Sequence, residues 1–195
     1  MNVRQNSMQI IGGRFRGKKL VAPEGTDVVR PTAARAREAV FNILLHGLHE
    51  EGFTLAGATV ADLFCGTGAL GLEALSRGAE SATFVDRAPP ALAALKRNIR
   101  ALTLDQQTQV IAGDVLRLPR ATAPFSLILM DPPYAETIAE MVLQNLATNG
   151  WIKTGSIIVV ETAANTHHAC VPDFQIIKER RYGKAMTRFL LYRPD

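Results

Sequence analysis

The sequence predicts an α/β fold built on an open, mostly parallel sheet that is covered by helices on both faces. Three observations lead to this prediction. Short apolar runs alternate with helix-forming stretches along most of the chain, a pattern typical of parallel sheets. A glycine-rich turn follows the first of these runs. Acidic residues follow several runs, at the sheet edge where ligands bind in such folds.

Residues 1–50 predict a small N-terminal extension. Residues 9–11 and 18–22 can form a hairpin around a flexible basic loop. A helix is expected from residue 33 to about residue 48, with Thr32 as its N-cap. One face of this helix would pack on the rest of the chain, through Ala36, Val40, Ile43, Leu44 and Gly47. The opposite side would carry Arg35, Asn42 and His46.

Residues 51–195 predict one domain in which strands and helices alternate. The predicted strands cover residues 59–64, 82–85, 108–112, 125–130 and 156–161. The predicted helices cover residues 70–77, 90–102 and 138–147. Residues 175–181 and 186–192 are extended and separated by a short glycine-containing turn, so they predict a terminal antiparallel hairpin.

The turn after the first strand is the first candidate binding site. Gly66 and Gly68 permit a tight turn and a close approach of a ligand to the backbone. With Gly71 they also fit the dinucleotide pattern G-x-G-x-x-G, so the glycines alone do not identify the ligand. Asp62 does discriminate, because a pyrophosphate gains nothing from a nearby carboxylate, whereas a ligand with an ammonium group does. S-adenosylmethionine is such a ligand, and Phe64 is included in its predicted site.

Two further acids end the next two strands. Asp86 is placed to accept hydrogen bonds from the two hydroxyls of a ribose, and Asp114 is placed near an adenine edge. A single acid at a strand end is usually a cap or a loop residue. Three acids at the ends of successive strands, Asp62, Asp86 and Asp114, together favour a ligand site. We also assign the neighbouring residues Arg87 and Val115 to this site.

The stretch Asp131-Pro132-Pro133-Tyr134 is the candidate catalytic site. It follows an apolar strand, and its two prolines end the strand because neither can donate a backbone N–H. The result is a stiff strand end that presents an acid, a backbone carbonyl and an aromatic ring together. These groups can stack on a planar nucleobase while they accept hydrogen bonds from its exocyclic amine.

Taken in this order, the motifs resemble a class I methyltransferase, and details outside them resemble the bacterial 16S rRNA guanine-N2 methyltransferases of the RsmD type. The resemblance covers essentially the whole chain. Its subfamily signature consists of Ile10-Ile11-Gly12-Gly13, Arg16-Gly17, Arg30-Pro31-Thr32, Arg35, Arg37-Glu38, Phe41-Asn42, Arg181-Tyr182-Gly183 and Thr187. The resemblance implies a Rossmann-like sheet of seven strands, S-adenosylmethionine as cofactor, and guanine 966 of 16S rRNA as the expected target.

Other functions stay open at this point. An adenine-N6 methyltransferase acting on DNA or RNA has a target amine that is conjugated in the same way. The short interval between Asp86 and Asp131 leaves no room for a DNA target-recognition domain. A nicotinamide-dependent oxidoreductase would leave Asp62 and the Asp131–Tyr134 stretch unexplained. A non-catalytic RNA-binding module would explain only the basic ends of the chain.

The charge distribution indicates a nucleic-acid partner. Residues 1–47 carry eight Lys and Arg against three acids, and residues 176–195 carry six against two. Residues 48–175 carry eight against thirteen, so basic ends flank an acidic middle. Such ends suit RNA phosphates. We therefore expect 16S rRNA, or a partly assembled small subunit, to contact Arg14, Arg16, Lys18, Lys19, Arg30, Arg35 and Arg181.

Composition sets the remaining expectations. The 195 residues, 47% of them hydrophobic, suit a soluble protein with one core. No apolar run is long enough to span a bilayer, no export signal is visible, and there are only two cysteines, so we expect a cytoplasmic monomer. His167 and His168 lack further ligands at metal spacing, and Cys65 lacks a neighbouring base. Glu161 is ambiguous between a loop cap and the rim of the active site.

Overall fold

A computed structural model describes residues 8–23, 31–132, 136–164 and 171–194. Within them, seven strands form one sheet in the order β3-β2-β1-β4-β5-β7-β6. The strands are β1 (Thr59–Leu63), β2 (Ser81–Asp86), β3 (Thr108–Ala112), β4 (Phe125–Met130), β5 (Ile152–Ala163), β6 (Phe174–Tyr182) and β7 (Ala185–Tyr192). Strands β1 to β5 pair in parallel, and β7 runs antiparallel between β5 and β6. The predicted fold class and the C-terminal hairpin are confirmed.

The helices of the described residues are α1 (Pro31–His46), α2 (Ala69–Ser76), α3 (Pro89–Ala101) and α4 (Glu136–Thr148). The side chains of α1, α2 and α3 pack on one face of the sheet, where they share a core with Leu127 and Val159. The side chains of α4 pack on the opposite face, around Ile128 and Ile158. Apolar side chains on both faces of the central strands explain why these strands read as continuous apolar runs.

Helix α1 buries the face that its periodicity predicts. Ala36, Val40 and Leu44 are buried, whereas Arg35 and Asn42 are exposed. The predicted start is wrong by about two residues, because the helix begins at Pro31 and Thr32 lies inside its first turn. Proline suits the first helical position, since the N–H that it lacks would have no partner within the helix.

The N-terminal segment differs from the predicted hairpin around a flexible loop. Its pairing is reduced to one antiparallel bridge between Gln9 and Lys19, and a short 3-10 turn, Gly13–Phe15, lies between them. Ile10 and Leu20 are buried in the same core as α1, α2 and α3. The segment is therefore packed against the sheet domain, and the boundary between residues 50 and 51 stays a prediction.

Strand β5 is longer than predicted. It begins at Ile152 and includes the polar residues Lys153 and Thr154 and a glycine with φ of 87°, Gly155. Its register with β4 shifts between Phe125 and Leu127, so the polar residues bulge out of the ladder. Trp151 is buried at the start of this strand, and its indole N–H donates to the Pro119 carbonyl at 2.7 Å.

No helix among the described residues is both long enough and apolar enough to cross a membrane.

Candidate active site

The turn after β1 is held in a left-handed backbone conformation. Phe64, Gly66 and Gly68 have φ angles of 56°, 54° and 80°, and such a conformation costs energy for a side chain as large as that of Phe64. A Cβ atom at Gly66 would meet nothing within 4 Å, whereas one at Gly68 or Gly71 would overlap Leu95 or Phe84. Only the first glycine therefore leaves room for a ligand, and the other two allow close packing of α2.

Asp62 lies at the centre of this arrangement. It is buried, and its Oδ2 accepts the Gly71 N–H at 2.8 Å. Burial raises the pKa of Asp62 to about 8, the Gly71 hydrogen bond opposes this rise, and the charges of Asp131 and Asp86 add to it. A nearby ammonium group would favour the ionised carboxylate. Its assignment to the cofactor stays a prediction.

Asp86, at the end of β2, already holds the local backbone in place. Its Oδ2 accepts the Gly66 N–H and its Oδ1 accepts the Ala88 N–H, both at 2.8 Å. The carboxylate is half-buried, and each oxygen has a second lone pair that can accept another hydrogen bond. Asp86 therefore fixes the glycine turn and keeps acceptor capacity for ribose hydroxyls.

The other predicted cofactor residues occupy different environments. Asp114 caps the 3-10 turn Val115–Arg117, because its Oδ1 accepts the Leu116 N–H at 3.0 Å. Val115 is buried in the core on the α4 face, and Arg87 is exposed just after β2. Asp114 thus combines the capping role with a position at the edge of the candidate site.

Asp131 extends directly from the end of β4, beside Pro132, which is half-buried. Asp131 is exposed as a residue, yet desolvation of its carboxyl by the surrounding protein raises its pKa. Pro133 and Tyr134 lie outside the described residues. The charge of Asp131 acts on both Asp62 and Glu161, so the three acids form one electrostatic cluster.

Glu161 belongs to this electrostatic cluster, and its place at the rim of the active site stays a prediction. Met130 of β4 is in register with Val160 of β5, so Asp131 and Glu161 follow the same pair on neighbouring strands. Burial raises the pKa of Glu161 to about 7, and the charge of Asp131 adds to the rise. Only the strand register could reveal this juxtaposition.

The basic candidates divide between the two ends of the sheet. Arg14, Arg16, Lys18 and Lys19 are exposed. Arg14 donates to Gln107 at 2.6 Å, and Gln107 lies immediately before β3, at the amino end of the strands. Arg181 is exposed near the β6–β7 turn, at the carboxyl edge, and Arg35 is exposed on α1. Arg30 lies outside the described residues.

A buried carboxylate that sequence reasoning missed fixes the N-terminal segment. Glu73 of α2 accepts the N–H groups of Ile11 and Gly12, both at 2.8 Å, and pairs with Arg77 at 2.7 Å. Arg37 of α1 lies 3.9 Å from its other oxygen. The only sequence signal was an acid in the otherwise apolar stretch Ala69–Ser76.

Asn98 of α3 makes a second connection that sequence reasoning missed. Its Oδ1 accepts the Val21 N–H, and its Nδ2 donates to the carbonyls of Val21 and Thr67. The Thr67 hydroxyl in turn contacts the Met8 sulfur at 3.3 Å. The N-terminal segment therefore lies against the glycine turn.

Two other chemistries find no support in this region. Burial raises the pKa of the Cys65 thiol, so it stays protonated near neutral pH and is unsuited to act as a nucleophile. Among the described residues, no three His, Cys, Asp or Glu side chains form a group that could hold a metal ion. His167 and His168 lie outside the described residues.

The chain is similar to known proteins along most of its length. The family model described as conserved hypothetical protein 95 matches residues 8–191. Ribosomal RNA small subunit methyltransferase D of Haemophilus influenzae is 31% identical over 183 residues, which cover 92% of this chain and 91% of the relative. The protein of the same name from Escherichia coli is 31% identical over 182 residues, with 93% and 88% covered.

The solved structures show the same relationship. The Escherichia coli protein yhhF superposes with a TM-score of 0.83 at 30% identity, and the match covers 97% of this chain and 99% of that one. The chain belongs to the RsmD-type family of ribosomal RNA small subunit methyltransferases.

Proposed function

We propose that this protein transfers a methyl group from S-adenosylmethionine to the exocyclic N2 amine of a guanine in 16S rRNA, with guanine 966 as the expected target. The observation that carries the proposal is the position of Asp131-Pro132. This stretch follows β4, next to the strand that ends in the glycine turn. The family membership directs the same chemistry to small-subunit rRNA.

The residues around the glycine turn fit this cofactor. Gly66 leaves open space for a ligand beside the turn. Asp86 keeps acceptor capacity for two ribose hydroxyls. The buried Asp62, whose pKa is raised to about 8, gains most from a cationic group, which would restore its charge. Phe64, Arg87, Asp114 and Val115 would complete the walls of the site.

The mechanism depends on alignment of the amine. The cofactor supplies a methyl group that its sulfonium charge has already activated. The guanine N2 lone pair is conjugated with the ring and is poorly available. Hydrogen bonds from the amine to the Asp131 carboxylate and the Pro132 carbonyl would favour a pyramidal nitrogen and free the lone pair. Proximity and orientation then account for most of the acceleration.

Two further roles follow from the same stretch. Asp131 can accept the proton that the amine releases after transfer. Tyr134 would stack on the base, and stacking of this kind contributes roughly 1–3 kcal/mol. A base inside a helix must first leave the stack, so a loop or bulge of the rRNA is the favoured target.

We further propose that the enzyme acts in the cytoplasm as a monomer, on free 16S rRNA or on a partly assembled subunit. Residues 1–50 and Arg181 would provide contacts to phosphates, and residues 51–195 would carry the chemistry. The exposure of Arg14, Arg16, Lys18, Lys19, Arg35 and Arg181 supports these contacts.

Labelled S-adenosylmethionine, incubated with unmodified 16S rRNA and with partly assembled subunits, tests the proposal. Nucleoside analysis should yield N2-methylguanosine. Asp131→Ala should bind the cofactor almost as tightly as the parent while methyl transfer falls, since its contact matters most as the amine becomes a nucleophile. Formation of N6-methyladenosine instead, or near-normal turnover by Asp131→Ala, would contradict the proposal.

A further inference from the structure

Asp131 and the Pro132 carbonyl can hold the exocyclic amine of either guanine or adenine, so they do not select between the two bases. Selection between the two bases needs a protein group that contacts the ring nitrogen N1, which is next to the carbon that carries the amine. In guanine that position is the N1–H, a hydrogen-bond donor. In adenine it is the unprotonated N1, an acceptor. A carboxylate, which only accepts hydrogen bonds, therefore fits the guanine edge and opposes the adenine edge.

The sheet places such a carboxylate beside Asp131. Val160 is in register with Met130, and the next residues along the two strands are Glu161 and Asp131. Neighbouring strands lie about 4.8 Å apart, and residues at equivalent positions along them lie on the same face of the sheet. On guanine, the N1–H and the N2 amine project from adjacent ring atoms, so two carboxyls held side by side can converge on them. The two acids can therefore contact adjacent groups of one base.

The row of side chains continues across the sheet. Glu161 is opposite Thr187 of β7, and Thr187 is opposite Arg180 of β6. Thr187 is only 1% exposed, and its hydroxyl has no hydrogen-bond partner among the described residues. Leaving a buried hydrogen-bond donor without a partner costs free energy, so such a donor in a folded protein calls for an explanation. On the same face as Glu161, this donor is available to orient the carboxylate.

The Glu161 carboxyl is also free for a ligand. It is half-buried, and within the described part of the chain no side chain or backbone N–H is hydrogen-bonded to it. By contrast, Asp62, Asp86 and Asp114 each hold a backbone N–H. Of the acids clustered around Asp131, Glu161 is thus the one whose acceptors are not engaged by the fold.

We propose that Glu161 is the specificity-determining residue of the site, and that its carboxylate accepts the N1–H of the target guanine while Asp131 holds the N2 amine. This inference rests on the proposed guanine-N2 activity and deepens it. Adenine would bring the N1 lone pair against the carboxylate, and the two would repel. The choice of base would therefore come from β5, and the activation of the amine from β4.

The target guanine would also favour the ionised form of Glu161. Its pKa is raised to about 7 by burial and by the charge of Asp131, and a hydrogen bond from the base would favour the charged form. The groups that face it are Asp131 from β4, Thr187 from β7 and Arg180 beyond Thr187 on β6. Arg188 lies on the opposite face, where it donates to Thr162 and pairs with Glu179.

The test compares two bases that carry the same amine. 2-Aminopurine keeps the N2 amine of guanine but has an unprotonated N1. The 16S rRNA is assembled by ligation with guanine or 2-aminopurine at the nucleotide that the parent methylates, and kcat/KM is measured for each. The parent should prefer guanine by at least about a hundredfold, since a buried acceptor that faces an acceptor rejects an analogue strongly.

Glu161→Gln should lower kcat/KM for guanine by about tenfold or more and raise it for 2-aminopurine, because the amide N–H can donate to N1. The ratio of the two values should fall by at least tenfold. Glu161→Ala should lower the ratio without the gain on 2-aminopurine. Glu140→Gln, which removes a carboxylate from the half-buried Glu140 side chain on α4, should leave both values unchanged.

The outcomes separate this inference from the activity on which it rests. N2-methylguanosine formed with an unchanged ratio in both Glu161 variants would overturn the inference alone. Lack of N2-methylguanosine with the parent enzyme would overturn the proposed function and the inference with it. Equal losses on both bases would assign Glu161 a merely structural role and also overturn the inference.

Discussion

The buried Asp62 carboxyl accepts the backbone N–H of Gly71 at 2.8 Å, and this bond ties the end of β1 to the first turn of α2. The bond opposes the rise in the pKa of Asp62 but does not cancel it, since burial is the larger effect. The chain therefore keeps a carboxyl beside the glycine turn in an environment that disfavours the charge.

This relationship predicts a pH dependence of stability. The pKa of Asp62 rises from 3.8 to about 8 on folding, so between these values the native chain binds more protons than the unfolded chain. Stability therefore falls as pH rises through this window, by up to about 1.4 kcal/mol per pH unit. Asp62→Asn should flatten that fall, as measured by urea unfolding at pH 5, 6, 7 and 8. The exposed Asp105 gives a control variant, Asp105→Asn, which should keep the parent profile.

Asp62→Asn should also weaken S-adenosylmethionine binding, because a neutral amide cannot pair with an ammonium group. A variant whose stability follows the parent pH profile would show that Asp62 does not carry the raised pKa.

A second prediction concerns Asp86. Asp86→Ala should weaken S-adenosylmethionine binding about tenfold to a hundredfold, since a hydrogen bond to a charged group contributes roughly 1.5–3 kcal/mol. It should also destabilise the fold by about 1–3 kcal/mol, because the Gly66 and Ala88 N–H groups lose their acceptor. Calorimetry and urea unfolding measure the two effects. Unchanged affinity in a folded variant would remove Asp86 from the cofactor site.

The basic loop can be tested by its salt dependence. If Arg14, Arg16, Lys18 and Lys19 contact phosphates, replacing all four with Gln should flatten the slope of log affinity against log salt by about two to three units. Cofactor affinity should not change. Removing four exposed charges elsewhere, from Lys96, Arg97, Arg100 and Arg120, provides a control of equal net charge. Parallel lines for the loop variant and the parent would contradict the RNA contact.

A fourth prediction concerns the attachment of the N-terminal segment. Glu73→Gln should destabilise the protein by about 3–5 kcal/mol, because it leaves Arg37 and Arg77 with an uncompensated buried charge. Trypsin should then cleave faster between residues 14 and 19. Glu80→Gln, at an exposed acid just beyond α2, should change neither property. Wild-type protease resistance in a folded Glu73 variant would show that other contacts hold the segment.

The sheet could be predicted from the sequence because each parallel strand is a local run of apolar residues, and such a run indicates a buried strand. It was not sufficient for β5, where a bulge at Lys153–Gly155 keeps polar residues inside a strand. The prediction of a flexible N-terminal loop missed its attachment to Glu73. That residue lies more than 60 positions away in the sequence, so the local sequence of the loop does not show the contact. Glu161 was ambiguous for the same reason, since its neighbours are set by register between strands.

The position of β7 has a consequence for the order of folding. Among the described strands this one comes last along the chain, yet it lies inside the sheet between β5 and β6. Until it inserts, β5 has an open edge, and such edges pair readily with other chains. Contacts between strands that are distant in sequence also form slowly. The row that contains Glu161 and Thr187 therefore cannot exist on a nascent chain before residues 185–192 have been synthesised, whereas the glycine turn needs only β1, β2 and their helices.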